Sequence, residues 1–263
     1  MRMIQIETRG KVTVLRLSHG KVNAFDSELL GHLLERLDEL ERSAVRSLVI
    51  TGNGSVFSAG VDLWRVLDGG ADYLTQFVPL LARALERLFV FPRPVVAALN
   101  GHAIAGGCVL ACACDYRIMA AGAGRIGVPE LRVGVPFPAV ALEILRSIAP
   151  SSLLRRLVFL GAMYEAGEAA ERGLVDEAAP PESLLDRACE AAEGLAVIPA
   201  DTFRVTKEQL RRPVLQRVAE TAAAVDAEVT RIWASDEVMA AIRSHMERTV
   251  RGRARPSGPA DER

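Results

Sequence analysis

The sequence has few of the features that would place a protein in a membrane, on a nucleic acid or in a secretory pathway. Its 263 residues carry a formal net charge of −1, so it lacks the basic surplus with which proteins bind phosphate backbones. Charges or prolines interrupt its apolar runs within about a dozen residues, which is too short to span a bilayer. The first residues alternate like a strand and show no signal-peptide pattern. We therefore expect a cytoplasmic protein that binds neither nucleic acid nor membrane.

Cysteine is scarce, and its spacing does not favour a metal site. Three of the four cysteines, Cys108, Cys112 and Cys114, lie within seven residues. They form no CxxC pair, and no histidine follows the cluster closely, although structural zinc sites usually use such ligand patterns. Unpaired cysteine is among the most frequently buried residue types. The cluster is therefore predicted to pack in the core and to hold no metal.

The remaining pattern predicts an α/β fold followed by a helical part. Short apolar segments at 12–17, 47–51, 94–101 and 115–121 indicate buried strands. Helical spacing occupies "FDSELLGHLLERLDELERS" at 25–43, where Asp26 can cap the start, and 71–90. After residue 140 the pattern is almost wholly helical and includes a long segment near 214–247. We expect a core domain over 1–195, a helical oligomerisation region over 196–250 and a disordered tail over 251–263.

A dinucleotide-binding motif can be set aside. The stretch "GAGRIG" at 122–127 matches the spacing G-x-G-x-x-G. In a dinucleotide-binding fold this turn must open a long helix that holds the pyrophosphate at its N-terminus. Pro129, Pro136 and Pro138 follow at once and would break such a helix. No nicotinamide or flavin cofactor is therefore expected.

Two glycine-containing loops indicate a site made of backbone groups. One loop, "FSAGVDL", follows the strand at 47–51, and the other leads from the strand at 94–101 into Gly106 and Gly107 at the start of a helix. The first N–H groups of a helix have no partner within the helix. One N–H from each loop can form an oxyanion hole, which needs small residues and no reactive side chain. The alternative for the first loop is a plain turn with Asp62 as a helix cap.

One carboxylate stands out as a candidate acid or base. Glu130 follows Pro129 in a stretch with few other polar residues, "GVPELRVGVP". Apolar surroundings favour the neutral form of a carboxyl group and raise its pKa into the range that proton transfer requires. The alternative is a solvated carboxylate on a loop.

Together, these segments resemble the crotonase, or enoyl-CoA hydratase/isomerase, superfamily. The similarity extends from "KVNAFD" through "FSAGVDL", "RPVVAALNGHAIAGGC", "CDYRIMA" and "IGVPELRVG" to "GLVDEAAP" and the "TK" at 206–207. The resemblance implies a right-handed spiral of ββα units followed by a helical trimerisation region, and hence a homotrimer or homohexamer. It also implies an acyl-CoA thioester substrate, with no separate cofactor because coenzyme A belongs to the substrate.

The resemblance also assigns roles to individual positions. The two oxyanion donors fall on the N–H groups of Val61 and Gly106, and a branched side chain at Gly106 would be expected to lie against the thioester oxygen. The two glutamates of family hydratases fall on Val109 and Glu130, so the first glutamate is missing here. His102 is either a site residue or a hydrogen-bonded structural histidine. The residues expected to line the coenzyme A path are Lys21, Val22, Ala24, Ala59, Asp62 and Leu63.

The missing glutamate favours one reaction over another. Family hydratases use both carboxylates to hold and activate water, whereas moving a double bond from C3 to C2 needs a single group that takes a proton and returns one. The sequence, with an apolar residue at 109, resembles the Δ3,Δ2-enoyl-CoA isomerases, and we expect that reaction with Glu130 as the single acid and base. The alternatives are an enoyl-CoA hydratase, another reaction of the family with a group such as Glu143, and a non-catalytic acyl-CoA-binding scaffold.

Overall fold

The computed structural model describes residues 3–253, which form two β-sheets packed with helices. The larger sheet has the strand order β1-β2-β3-β5-β7-β10, and the smaller sheet has the order β4-β6-β8-β9. Only the pairs β1–β2 and β8–β9 are antiparallel. The strands are β1 Ile4–Arg9, β2 Val12–Leu17, β3 Ser47–Thr51, β4 Val56–Ser58, β5 Val95–Leu99, β6 His102–Ile104, β7 Tyr116–Ala120, β8 Ile126–Gly127, β9 Met163–Tyr164 and β10 Glu177–Ala179.

Helices follow the strand pairs and then form the C-terminal part. They are α1 Ser27–Glu41, α2 Leu63–Phe89, α3 Gly106–Ala113, α4 Ala139–Ile148, α5 Ser151–Leu160, α6 Ala166–Glu171, α7 Leu184–Leu195, α8 Ala200–Trp233 and α9 Asp236–Arg253. A 3₁₀ turn, Glu130–Val133, precedes α4. No helix in this described part of the chain is long and apolar enough to cross a membrane.

The strands and helices repeat as ββα units, as the resemblance implied. The units β3-β4-α2 and β5-β6-α3 each give their first strand to the larger sheet and their second strand to the smaller one. The chain passes between sheets at Gly52 and Gly101, where an added Cβ would lie 2.3 Å from Val56 O and 1.8 Å from Ser55 O. Only glycine tolerates backbone at such distances. The Asn100 side chain links the two crossings, because it accepts from Gly52 N–H and donates to Gly54 O.

The predicted first helix is confirmed, whereas the second begins earlier than predicted. The Asp26 side chain accepts a hydrogen bond of 2.8 Å from Leu29 N–H and so caps α1. Helix α2 begins eight residues before position 71, at Leu63. Its course is interrupted at Gly70, where φ is +56°. The sequence "DGG" is typical of a helix end, and the structure instead uses it as a kink within one long helical segment.

The cysteine cluster packs in the main hydrophobic core, as predicted. Cys108, Cys112 and Cys114 are buried among apolar residues of the helices and the larger sheet. Burial raises the pKa of the Cys114 thiol to about 12, so that it stays protonated and is a poor metal ligand. The stretch "GAGRIG" ends in the short strand β8 and opens no helix, in keeping with the prolines that follow it.

The C-terminal helices fold back over the rest of their own chain. Helix α8 packs on α2 and α4, and α9 packs on α2 and the 3₁₀ turn. The segment predicted at 214–247 therefore begins earlier, at Ala200, and breaks between Trp233 and Asp236. Residues 254–263, most of the predicted tail, lie outside the described residues, whereas 251–253 belong to α9.

This packing corrects one expectation about the helical region. An oligomerisation region over 196–250 predicts that its apolar face contacts other subunits, and the apolar residues of that face include Leu215, Val218, Val225, Ile232 and Trp233. Val218 and Trp233 are instead buried in the core of the same chain. Leu215 and Ile232 pack against that core, which leaves Val225 as the exposed member of the set. Amphipathic spacing indicates that one face of a helix is apolar and packs against another surface. It does not show whether that surface belongs to the same chain or to another subunit.

Candidate active site

The loop between β2 and α1 is fixed against β4 by a buried asparagine. Asn23 is 1% exposed and has a φ of +49°. Its side-chain amide donates to Val56 O and Phe57 O, each at 3.1 Å, and its main-chain carbonyl accepts from the Ser58 hydroxyl at 2.7 Å. The same Ser58 oxygen accepts from Gly60 N–H at 3.1 Å. Asn23 and Ser58 thus hold the "FSAGVDL" loop in one conformation.

This arrangement leaves the N–H of Val61 free. Phe25 N–H donates to Gly60 O at 2.7 Å, and Asp62 N–H donates to Phe25 O at 2.9 Å. Phe25 and Val61 are therefore paired as in a parallel bridge. Successive peptide groups of an extended segment point to opposite sides, so Val61 N–H points away from Phe25. It donates no hydrogen bond to any residue that the structure describes.

Gly106 presents a second free N–H from the start of α3. Ala105, the residue before it, has the dihedrals φ +55° and ψ −127°. Ala105 O accepts from Cys108 and Val109 N–H, at 2.9 and 3.1 Å, whereas Gly106 N–H has no acceptor within residues 3–253. A positive φ is unfavourable for alanine. The surrounding structure therefore stabilises a strained turn at Ala105. This turn precedes the first N–H groups of α3, which have no partners within the helix.

The two loops touch each other at Gly60. An added Cβ at Gly60 would lie 2.8 Å from each of three atoms: Gly106 N, Ala105 Cβ and Ile104 O. An added Cβ at Gly106 would lie 3.2 Å from two ring carbons of Phe25 and 3.5 Å from Gly60 Cα. Glycine at both positions therefore allows the two loops to pack directly against each other.

Glu130 lies at the start of the 3₁₀ turn and is partly buried. Its Oε2 atom is buried and has no hydrogen-bond partner among the described residues. Burial raises the pKa of Glu130 to about 8, and a hydrogen bond from its own backbone opposes this shift. The carboxyl group can therefore both accept and release a proton near neutral pH.

A cavity of about 880 Å³ brings these groups together. Its walls include the two residues with free N–H groups, Val61 and Gly106, as well as Glu130 and Val109. Much of the remaining lining is apolar, and His102, Arg125, Arg132, Glu165, His245 and Arg248 supply its other polar or charged side chains. The cavity can place a carbonyl oxygen near two donors and an adjacent carbon near one carboxylate. Such a site suits the formation of an enolate from a thioester.

Comparisons with known proteins agree with this geometry. The sequence model of the enoyl-CoA hydratase/isomerase family matches residues 7–251. The chain belongs to the enoyl-CoA hydratase/isomerase family. A Thermus thermophilus protein, provisionally named an enoyl-CoA hydratase, is 38% identical over 213 residues, which are 79% of this chain and 83% of that protein.

Proteins named as isomerases are also similar to this family member. Human mitochondrial enoyl-CoA delta isomerase 1 is 26% identical over 249 residues, which are 94% of this chain and 82% of the human protein. The crystal structure of human mitochondrial delta3-delta2-enoyl-CoA isomerase superposes with a TM-score of 0.91 at 26% identity. That alignment covers 95% of this chain and 99% of the human chain. The mixed α/β fold with its C-terminal helices is therefore that of the family.

The structure places the residues assigned from the family resemblance unevenly. Ala59 and Leu63 line the cavity, whereas Lys21, Val22, Ala24 and Asp62 do not. Lys21 is exposed, and Val22 O accepts from Ala59 N–H at 3.0 Å, so this loop borders the cavity wall. The Asp62 carboxylate accepts from Trp64 and Arg65 N–H. Asp62 is thus the helix cap that was the alternative interpretation of its loop, and a coenzyme A contact by these four residues stays a prediction.

Two further candidates are now located. His102 lines the cavity, and its Nδ1 accepts from Arg125 N–H at 3.3 Å. It is therefore both a cavity residue and a hydrogen-bonded structural histidine. Glu143 does not line the cavity. It is buried on α4 and forms ion pairs with Arg146 and Arg217, which favours a structural role.

Several cavity residues could not be found by motif. Arg125 and Glu165 line the cavity, and Arg125 Nη2 lies 3.6 Å from Glu165 Oε1. Trp233, His245 and Arg248 come from the two C-terminal helices, about a hundred residues after Glu130 in the sequence. Ala105 carries no sequence signal for a positive φ, because glycine and asparagine are the residues that usually mark that conformation.

Proposed function

We propose that this protein is an enoyl-CoA isomerase that converts 3-enoyl-CoA into 2-enoyl-CoA, with Glu130 as its single acid and base. The observation that carries the proposal is that Val109 and Glu130 both line the same cavity. An apolar side chain occupies the position that resemblance assigns to the first hydratase glutamate. The carboxylate at the second position is retained, with a raised pKa.

The proposed reaction uses Glu130 twice, first as a base and then as an acid. The ionised Glu130 takes a proton from C2 of the substrate, and the electrons move into the thioester carbonyl. The N–H groups of Val61 and Gly106 donate to the developing oxyanion. The protonated Glu130 then returns a proton to C4, so that the double bond moves from C3–C4 to C2–C3. The buried, unpartnered Oε2 favours the protonated form that this second step needs.

Hydration is the second candidate, and it makes a different demand. A hydratase needs a group that holds and activates water in addition to Glu130. Glu165 is the other carboxylate lining the cavity in the part of the chain that the structure describes. It is more than half exposed and forms an ion pair with Arg125, so it is open to solvent instead of buried as the Glu130 carboxyl oxygen is. These surroundings favour isomerisation.

A scaffold that only binds acyl-CoA is less well supported. A buried carboxyl oxygen without a partner is destabilising by about 1–3 kcal/mol. A protein that merely holds a thioester gains nothing from Glu130 in such a place, whereas a catalyst gains a base of suitable pKa.

The proposal is tested by supplying the two double-bond isomers separately. With 3-enoyl-CoA we expect 2-enoyl-CoA as the product, detected by chromatography and by the ultraviolet absorbance of the conjugated thioester. With 2-enoyl-CoA we expect little 3-hydroxyacyl-CoA, because water is not activated. Rapid formation of 3-hydroxyacyl-CoA, abolished by Glu165→Gln, would identify a hydratase, and turnover of neither thioester would support a scaffold.

We further propose a trimer or a dimer of trimers as the assembly. Since the C-terminal apolar face is mostly covered by its own chain, support comes instead from exposed apolar side chains elsewhere. Val197, Leu210 and Phe159 are 81%, 75% and 68% exposed, and contacts between subunits would remove such apolar side chains from water. Light scattering at micromolar concentration should give the mass of three or six chains, and a monomer mass would contradict this prediction.

A further inference from the structure

We infer that the Trp233 indole closes the acyl end of the cavity and limits the length of acyl chain that the enzyme accepts. The inference rests on the proposed function, because it takes the cavity to hold an acyl-CoA. It concerns a residue that no sequence motif indicates and that lies in the C-terminal helix α8.

The cavity has a polar side and an apolar side. Its charged residues Arg125, Glu165 and Arg248 are solvent-exposed, so they mark where the cavity opens to water. Its apolar residues Leu81, Leu85, Val109, Ala141 and Trp233 come from α2, α3, α4 and α8, four helices that pack on one another. An acyl chain gains free energy by entering the apolar side, and the polar coenzyme A moiety does not.

Trp233 forms a fixed part of that apolar side. Its side chain is 2% exposed, and its Nε1–H donates to Pro136 O at 3.0 Å. Phe137 and Pro138, the two residues after this acceptor, also line the cavity. Because the hydrogen bond holds the indole in place, a growing acyl chain cannot displace it without breaking that bond in an apolar environment.

The size of the indole determines the expected effect. Its replacement by a methyl group would open space for roughly four methylene groups if the surrounding helices do not collapse. A single methylene in an apolar pocket changes kcat/KM by roughly tenfold or more. Trp233→Ala should therefore accept chains that are longer by about four carbons and should lose contacts with the shorter chains that fill the wild-type site.

The chain offers a matched control, since it has two tryptophans. Trp64 is 43% exposed and does not line the cavity. The experiment measures kcat/KM with 3-hexenoyl-CoA, 3-decenoyl-CoA and 3-hexadecenoyl-CoA. The proteins compared are the wild type, Trp233→Ala, Trp233→Phe and Trp64→Ala. We expect the preferred length to increase in Trp233→Ala, to increase less in Trp233→Phe, and to be unchanged in Trp64→Ala.

Binding provides a readout that does not depend on turnover. In a Trp64→Phe variant, Trp233 is the remaining tryptophan, and its fluorescence can be titrated with hexanoyl-CoA, decanoyl-CoA and hexadecanoyl-CoA. Emission should change more with decanoyl-CoA than with hexanoyl-CoA, because the longer chain reaches the indole. A length-dependent change without any isomerase activity would leave the inference standing and refute the proposed reaction.

The inference is overturned by either of two results. One is a Trp233→Ala variant with wild-type circular dichroism and an unchanged order of chain-length preference. The other, which applies even if Trp233→Ala does not fold, is a Trp233 emission in the Trp64→Phe variant that responds equally to all three saturated thioesters or to none.

Discussion

Replacing Glu130 by glutamine is expected to lower kcat with 3-enoyl-CoA by about 10²–10⁴-fold, the usual effect of losing a general base. Glutamine has nearly the same shape and cannot accept the C2 proton. Folding should be unaffected, because Oε2 has no hydrogen-bond partner to lose among the described residues. Steady-state kinetics should show the loss in kcat, while circular dichroism and acyl-CoA binding stay close to those of the wild type.

The pH dependence of the wild type provides an independent check on this assignment. The base is the ionised form, and the pKa of Glu130 in the free protein is raised to about 8. The value of kcat/KM should therefore increase as the pH is raised through about 8, whereas the residual activity of Glu130→Gln should lack that increase.

Glu165→Gln is the matched control for Glu130→Gln, since it removes the other carboxylate that lines the cavity. Its side chain is exposed and belongs to an ion pair, so we expect isomerase activity within a fewfold of the wild type. An activity of Glu130→Gln within twofold of the wild type, or a larger loss in Glu165→Gln, would show that the base lies elsewhere.

Gly106→Val is expected to reduce kcat by 10²-fold or more through the oxyanion hole. The structure adds a cause to the expected contact with the thioester oxygen, because a Cβ at Gly106 would lie 3.2 Å from the Phe25 ring and 3.5 Å from Gly60 Cα. Phe25 holds both peptide neighbours of Val61 by hydrogen bonds. Pushing on Phe25 therefore displaces both donors, and each lost donor costs about 2.7–4 kcal/mol in the transition state.

A graded series separates this effect from general damage. Gly106→Ala places one methyl group 3.2 Å from the Phe25 ring, so a shift of a few tenths of an ångström and a loss of about tenfold are expected. Gly31→Val, in α1, adds the same side chain where nothing lies within 4 Å of the new Cβ, and it should retain activity. If Gly106→Val folds and turns over substrate at the wild-type rate, Gly106 is only a packing glycine.

The sequence by itself determined the family and indicated which residues to consider as the site. The order of the "FSAGVDL", "GHAIAGGC" and "IGVPELRVG" segments was sufficient because such motifs are local, and each contains a turn, a helix start or a single acid. Asp26 was likewise identified as a helix cap from adjacent residues alone. The sequence also revealed the absence of a first glutamate at Val109, on which the proposed reaction depends.

The tertiary structure decided everything that depends on distant residues meeting. It showed that Phe25 bonds to both neighbours of Val61, whose own N–H finds no acceptor within residues 3–253, and that one carboxyl oxygen of Glu130 is buried without a partner among those residues. It also placed Trp233 and α9 against the cavity of their own chain, where helical periodicity had indicated contacts between subunits. Periodicity records only that a face is apolar, whereas long-range packing determines which surface covers it, and that packing depends on the whole chain.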